Sequence, residues 1–397
     1  MSARSCRGGP NGGTAEPRID SLPAQETRSS RVIAVFGPTG VGKTAVGVAV
    51  AEYFGVRVVS CDSMQLYRGF PVLTNQPSSA EHEKAPHALV GVLEPEEEWS
   101  AARYAQAAAT LIDEDVGRRG VAVLVGGTGL YLRAALAPLA MRTPGDPLLR
   151  AELETRAKRD GGHGLHGELA SLDPEAAASI HPHNVRRTIR ALEAVLAHGP
   201  GSWSGRQDLW RPDFRHPTLV VGLRAERELL YERINRRTQE MLTGGAVDEV
   251  RSYLATQAGT KTEKQSAGGL AAPAGGEGHE AAAGVPVPDG RHGAAAAATE
   301  GDGRHRAADT DGPRGIRRAI GFREIEAHLR GEITADEAAA AMAAATRAYA
   351  RRQLTWMRRL PGAVIIDTSW REPGGIAQEI IDMCEGGGGV QQVGRPG

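Results

Sequence analysis

Residues Gly37 to Thr44 read GPTGVGKT. Such a string builds a glycine-rich loop whose backbone N–H groups wrap a phosphate chain, with Lys43 as counter-charge and Thr44 as magnesium ligand. Its surroundings agree. Val32-Ile33-Ala34-Val35-Phe36 is an apolar, β-branched run that reads as a strand, and Ala45 to Phe54 has helical spacing. Glycine lets the backbone approach the phosphates, and the helix N-terminus adds unpaired N–H groups and its positive dipole end. The motif leaves three ligands open: ATP, a nucleotide being phosphorylated, or a molecule that carries a diphosphate.

At 397 residues with 41% hydrophobic content, the chain can hold two or three domains and a substantial core. The net charge of -1 gives no global basic signal, so any nucleic-acid contact must come from local clusters. Cys6, Cys61 and Cys384 form no CxxC pair, which argues against a disulfide scaffold or a zinc finger and for a reducing compartment. No apolar run approaches the ~20 residues of a membrane span. A cytoplasmic monomer is expected. Residues 1–30, rich in Arg, Ser, Gly and Pro, read as a disordered extension. They offer a plastid or mitochondrial transit peptide as the alternative, which Glu16, Asp20 and Glu26 weaken.

A second strand, Val56 to Ser60, runs into Cys61-Asp62-Ser63-Met64-Gln65, so a carboxylate sits just past a strand end, where open α/β sheets bind ligands. A capping or turn role is the plain alternative for Asp62. A third strand, Val121 to Val125, ends in Gly126-Gly127-Thr128-Gly129. Phosphoryl-transfer enzymes with this loop usually place a magnesium-supporting Asp there. Two glycines and a threonine instead suit close backbone approach and a small hydroxyl lining a channel.

From about Met141 to Arg215 the strand pattern gives way to helices, Pro147 to Arg159 and His183 to His198. Arg186 and Arg190 share a face there, with Arg187 beside them. This basic cluster suits phosphates or, equally, a solvated surface. The sheet resumes at Leu219 to Leu223. A helix follows from Glu226 to about Leu254, interrupted near Gly244-Gly245, carrying Arg227, Arg233, Arg236 and Arg237. Residues 257–312 hold too few large apolar side chains to form a core and read as a disordered insert. A helix from Ala335 to Leu360 then sets Arg347, Arg351 and Arg358 near one face, flanked by Arg352, Trp356 and Arg359, a stripe that fits an RNA backbone. The strand Ala363 to Asp367 and a helix from about Gly374 to Cys384 close the pattern.

These pieces predict an α/β fold: a P-loop NTPase-like parallel sheet core with an α-helical insertion domain and a helical C-terminal part. The boundaries expected are 31–142 and 216–256 for the core, 143–215 for the insertion, 313–385 for the C-terminal helices and strand that complete the core, and 386–397 for a disordered tail.

Taken together, GPTGVGKT, CDSMQLYRG, APHALVG, LVGGTGLYLRAAL, LDPEAAASIHPHNVRRTIRALE and ATRAYARRQLTWMRR, in that order, resemble the tRNA dimethylallyltransferases, also called tRNA isopentenyltransferases. The resemblance covers roughly residues 31 to 255 and 314 to 368. It implies transfer of a dimethylallyl group from dimethylallyl diphosphate to N6 of the adenosine 3′ to the anticodon, in tRNAs reading codons that begin with U. By carry-over, the loop Gly37, Thr39, Gly40, Val41, Gly42, Lys43 and Thr44 grips the diphosphate, with Mg2+ on Thr44. Arg227 or Arg233 assists it. Asp62 acts as general base, and Thr128 lines the channel through which the adenine meets the donor. Asp62, Ser63, Met64 and Gln65, Arg150, and Arg186, Arg187, Thr188, Ile189 and Arg190 match tRNA contacts, so the anticodon stem-loop is the expected partner. Three departures stand out: Gln76 precedes Pro77 where the family usually has Lys, the 257–312 insert interrupts the pattern of bacterial relatives, and the Cys/His zinc finger of many eukaryotic ones is missing. Two other readings remain: prenylation of free AMP, ADP or ATP, and a small-molecule P-loop kinase. The extended basic segments favour RNA over a mononucleotide.

Overall fold

The computed structural model describes residues 32–137, 146–203, 213–267 and 315–386. The expected N-terminal extension, most of the 257–312 insert and all but the first residue of the tail lie outside them.

Six strands form one sheet in the order β3-β2-β4-β1-β5-β6, every neighbouring pair parallel. They are β1 (Val32–Phe36), β2 (Val58–Ser60), β3 (His87–Ala88), β4 (Ala122–Gly126), β5 (Thr218–Arg224) and β6 (Val364–Asp367). Side chains alternate across each strand. In β1, Val32, Ala34 and Phe36 enter one apolar cluster and Ile33 and Val35 the other. Both sheet faces are therefore covered, as a wholly parallel sheet requires.

On one face lie α1 (Lys43–Phe54) and α13 (Pro373–Glu385), whose Val46, Val50, Ile376 and Ile380 pack with Ile33, Val123 and Val221. The other face is covered by α3 (Ala101–Arg119) and α4 (Gly129–Leu136), together with Phe70, Phe322 and Met342. Tyr104 of α3 stacks on Tyr131 of α4 at 4.0 Å, and its hydroxyl donates to Ser60 O at 2.9 Å, tying this layer to the end of β2.

Between β2 and β3 a short helix, α2 (Ser79–Lys84), leads into the β3 edge. Residues 146–203 are helical: α5 (Pro147–Asp160), α6 (His163–Leu172), α7 (Pro174–Ala178) and α8 (Val185–His198). They bury Leu153, Leu165, Leu169, Ile180, Ile189 and Leu192 among themselves. Asp146, Asp173 and Asn184 accept backbone N–H groups at the starts of α5, α7 and α8.

After β5, α9 (Arg227–Met241) passes through a wide turn at Leu242–Ala246 into α10 (Val247–Ala267). The predicted interruption at Gly244-Gly245 is present, with Gly245 at φ 118. The helix runs past Leu254, however, so residues 257–267 continue α10 and are not an unstructured start to the insert. Their Ala, Thr, Lys, Glu and Gln content supports helix locally although it cannot build a core. The chain returns through α11 (Phe322–Leu329) and α12 (Ala335–Met357), the latter opened by a Thr334–Glu337 capping box. Sequence reading misses β3, whose two residues are too short for a periodic signal.

Candidate active site

The phosphate loop leaves the carboxyl end of β1. Gly40 and Gly42 have φ of 86 and 95, left-handed values that favour glycine, and Gly42 opens α1. The loop is anchored from several directions. Thr368 donates to Val41 O at 3.3 Å, Gln353 Oε1 accepts the Thr39 N–H at 2.9 Å, and Lys43 Nζ donates to Pro38 O at 2.8 Å. Burial pulls the Lys43 ammonium down to about 8, a fall opposed by the Asp62 carboxylate. Gly40, Gly42, Lys43, Thr44, Asp62, Ser60, Gln65, Asn75, Arg233, Arg236 and Arg237 line a polar cleft of about 1250 Å³, open mouth included.

Facing the loop, β2 delivers Asp62. Asp62 Oδ1 accepts the Met64 N–H at 2.9 Å, a turn that fixes the carboxylate at the strand end. The next residue joins the two acceptor-side loops: Ser63 N–H donates to Thr128 Oγ1 at 3.2 Å, while Thr128 N–H donates to Cys61 O at 3.2 Å. Burial raises the pKa of the Tyr349 phenol of α12, so it stays protonated. Cys61 is fully buried, and burial pushes its thiol upward, which removes it as a nucleophile.

A second, open-mouthed chamber of about 600 Å³, mouth included, adjoins the cleft, lined by Met64, Leu73, Ile234, Met241, Ile320 and Tyr349. Thr39, Asp62, Thr74 and Arg237 line both spaces. The site therefore offers a charged compartment and a largely apolar one, with a carboxylate and a guanidinium at their common wall.

The arginine at that wall is neither of the two the sequence favours. Helix α9 packs Leu230 and Ile234 against Gly40, within 3.5 and 3.3 Å of where a Cβ would lie. Positions 233 and 237 consequently face the loop. Arg233 lines the polar cleft, whereas the Arg227 guanidinium lies 5.2 Å from the Tyr231 ring, turned toward α12. Arg237 is the residue that sequence reasoning passed over. Its Nε is buried without a hydrogen-bond partner, and burial lowers its pKa against the pull of Asp62. A desolvated guanidinium aimed at a cleft is poised for an anion.

The floor of the cleft is the 70–77 segment. Glu249 of α10 accepts the N–H groups of Val72 at 2.7 Å and Leu73 at 2.9 Å. Gln76 Nε2 donates to Tyr67 O at 2.6 Å and Gln65 O at 3.2 Å, so Gln76 braces this floor.

The IPP transferase model matches residues 65–272 and 297–360, and the isopentenyl transferase model matches residues 30–89. The chain belongs to the IPP transferase family. It is 35% identical to the tRNA dimethylallyltransferase of Shouchella clausii, over 84% of this chain and 90% of that one. The protein of the same name from Geobacter metallireducens is 36% identical, over 84% and 92%. A crystal structure of the full-length tRNA isopentenylpyrophosphate transferase from Bacillus halodurans superposes with a TM-score of 0.56 at 30% identity, covering 90% of this chain and 98% of that one. The α/β parallel-sheet fold expected from the sequence is the fold of this family member.

The expected RNA-contact residues divide. Ser63 is buried, Gln65 is held between Ser60 Oγ and Asn75 O, and Met64 lines the apolar chamber. Thr188 and Ile189 point into the core of the helical region, so their side chains are withheld from any surface; helical periodicity turns them inward from Arg186 and Arg190. Arg150 and Arg190 both pair with buried Glu193, at 2.5 and 2.8 Å. Arg187 lies 5.9 Å from the Trp203 ring, and Arg186 is exposed. On α12, Arg347 and Arg351 donate to Asn235 at 2.6 Å and Tyr231 at 3.3 Å, so part of the predicted RNA-facing stripe is engaged with α9. The Trp356 ring packs against Gly129.

Proposed function

We propose that this protein transfers a dimethylallyl group from dimethylallyl diphosphate to N6 of an adenosine in tRNA, the one 3′ to the anticodon in tRNAs reading codons that begin with U. The observation that carries this reading is the position of Asp62, on the wall shared by the phosphate cleft and the apolar chamber. Family membership supports it, since the relatives named above are tRNA dimethylallyltransferases.

The diphosphate occupies the polar cleft, held by the N–H groups of residues 40–44, Lys43, Arg233 and Arg237. The isoprenoid and the flipped adenine meet at the chamber. The N6 nitrogen attacks C1 of the dimethylallyl group, the C1–O bond breaks, and its electron pair leaves with the diphosphate. As the new bond forms, N6 becomes acidic and Asp62 accepts its proton. Lys43 and the arginines stabilise the charge that builds on the leaving oxygens. An apolar chamber limits capture of the allylic centre by water. The adenine must leave its stack to enter, which an anticodon loop permits at low cost.

A magnesium ion fits the donor set. No cluster of three His, Cys, Asp or Glu residues occurs among the described residues, but Thr44 lines the phosphate cleft, and magnesium in such sites is held by one protein hydroxyl, phosphate oxygens and water. When bound, it would neutralise charge on the diphosphate.

The protein is taken to act as a monomer without a membrane; no helix among the described residues is long and apolar enough to cross one. Incubating it with labelled dimethylallyl diphosphate and, in parallel, an anticodon stem-loop, ATP or AMP tests the acceptor class. Label in the RNA supports the reading, and label confined to a mononucleotide overturns it.

A further inference from the structure

Gln353 lies on the buried face of α12, 2% exposed. A polar amide survives there only with its hydrogen bonds made. Both arms are used. Oε1 accepts the Thr39 N–H at 2.9 Å, and Nε2 donates to Gly127 O at 3.0 Å. These partners stand on the loops that leave β1 and β4, adjacent parallel strands in which Phe36 pairs with Gly126. The fit is close: a Cβ on Gly127 would sit 2.1 Å from Nε2.

Two consequences follow from this single amide. The Thr39 N–H is already engaged, so the phosphate donors of the loop begin at Gly40. The loop carrying Thr128, which is bonded to Ser63 beside Asp62, is held at a set distance from the phosphate loop. We propose that Gln353 is a positioning residue for the transfer, fixing the separation between the diphosphate grip and the Asp62–Thr128 wall by spanning Thr39 and Gly127. The proposal rests on the prenyl-transfer reading of this site. An attack in line with the leaving oxygen tolerates little error in that separation, since about 1 Å of misplacement costs on the order of a hundredfold in rate.

Gln353→Met keeps the volume and removes both hydrogen bonds. Gln353→Glu keeps the acceptor for Thr39 but sets a carboxylate oxygen against Gly127 O. For both full-length variants, kcat is expected to fall about tenfold to a hundredfold, while KM for a stem-loop RNA stays within about twofold. Wild-type kcat in a folded Gln353→Met variant, or a raised KM with kcat unchanged, overturns the proposal. Gly127→Ala provides a second route, because it displaces the same amide. Its loss and that of Gln353→Ala should not add in the double variant, and additive losses overturn the proposal. Hydrogen exchange at the Thr39 amide separates this idea from the proposed function. If the wild-type protein prenylates no acceptor, the functional reading fails. Slow exchange at Thr39 in the wild type and fast exchange in Gln353→Met still support the latch, and equal exchange in the two removes it.

Discussion

Arg237 and Asp62 stand together at the wall between the polar cleft and the apolar chamber, opposite charges that both line the two spaces. Burial depresses the Arg237 pKa and the Asp62 field opposes that fall, which marks their interaction as electrostatic and partly desolvated. Such a pair can separate roles: the guanidinium turns to the leaving diphosphate while the carboxylate takes the proton.

Arg237→Ala should lower kcat by about a hundredfold to a thousandfold, the usual cost of removing one preorganised donor from a developing anion. Arg227→Ala should change kcat by less than about threefold, because its side chain lies over Tyr231. Steady-state kinetics of the two variants, each normalised to folded protein, checks the ranking. The reverse order would place the diphosphate elsewhere.

Asp62→Asn should reduce transfer by about a hundredfold to ten thousandfold with RNA affinity altered only a few-fold. The amide can still accept the Met64 N–H, so the local turn persists. Filter binding and single-turnover transfer on the same preparation distinguish lost chemistry from lost binding.

Lys43 gives a pH dependence with a definite sign. Its ammonium is pulled down to about 8 by burial, so the free enzyme carries that charge below pH about 8 and loses it above. The kcat/KM for the donor should therefore fall as pH rises through about 8. Bound diphosphate favours the charged form and should move the limb in kcat to higher pH. Lys43→Arg stays protonated throughout this range, so the limb should disappear even where overall activity drops. An unchanged limb would assign the titration to another group.

Arg150 separates structural from RNA-contact roles. It is bidentate to Glu193, which is 4% exposed and otherwise paired with Arg190. Arg150→Ala should cost about 1–3 kcal/mol in urea unfolding by leaving a buried carboxylate under-satisfied. Lost RNA binding at unchanged stability would instead make it a pure contact residue.

Much of this architecture is readable because a few motifs restrict it severely. The string from Val32 to Phe54 allows one local structure, and β1, the phosphate loop and α1 follow from it. Asp62 and Thr128 are legible since each ends a strand beside that loop. Arg237 is not, because spacing along α9 tells which arginines share a face but not which face meets Gly40; that depends on Leu230 and Ile234 packing on the loop. Gln353 is hidden for a related reason. It is a polar residue inside an arginine-rich motif, and its partners lie more than two hundred residues away. The inward turn of Thr188 and Ile189 was available from helical periodicity, but a motif read as a continuous contact segment overrides that signal.

The acceptor atom defines the proposed reaction, and mapping the modification by mass spectrometry tests it most directly. After incubation with dimethylallyl diphosphate and digestion of the stem-loop RNA, the prenyl mass should sit on the adenosine 3′ to the anticodon, and replacing that adenosine with guanosine should abolish it. Prenylation at other adenosines of the stem-loop, or of free nucleotides alone, would contradict the account.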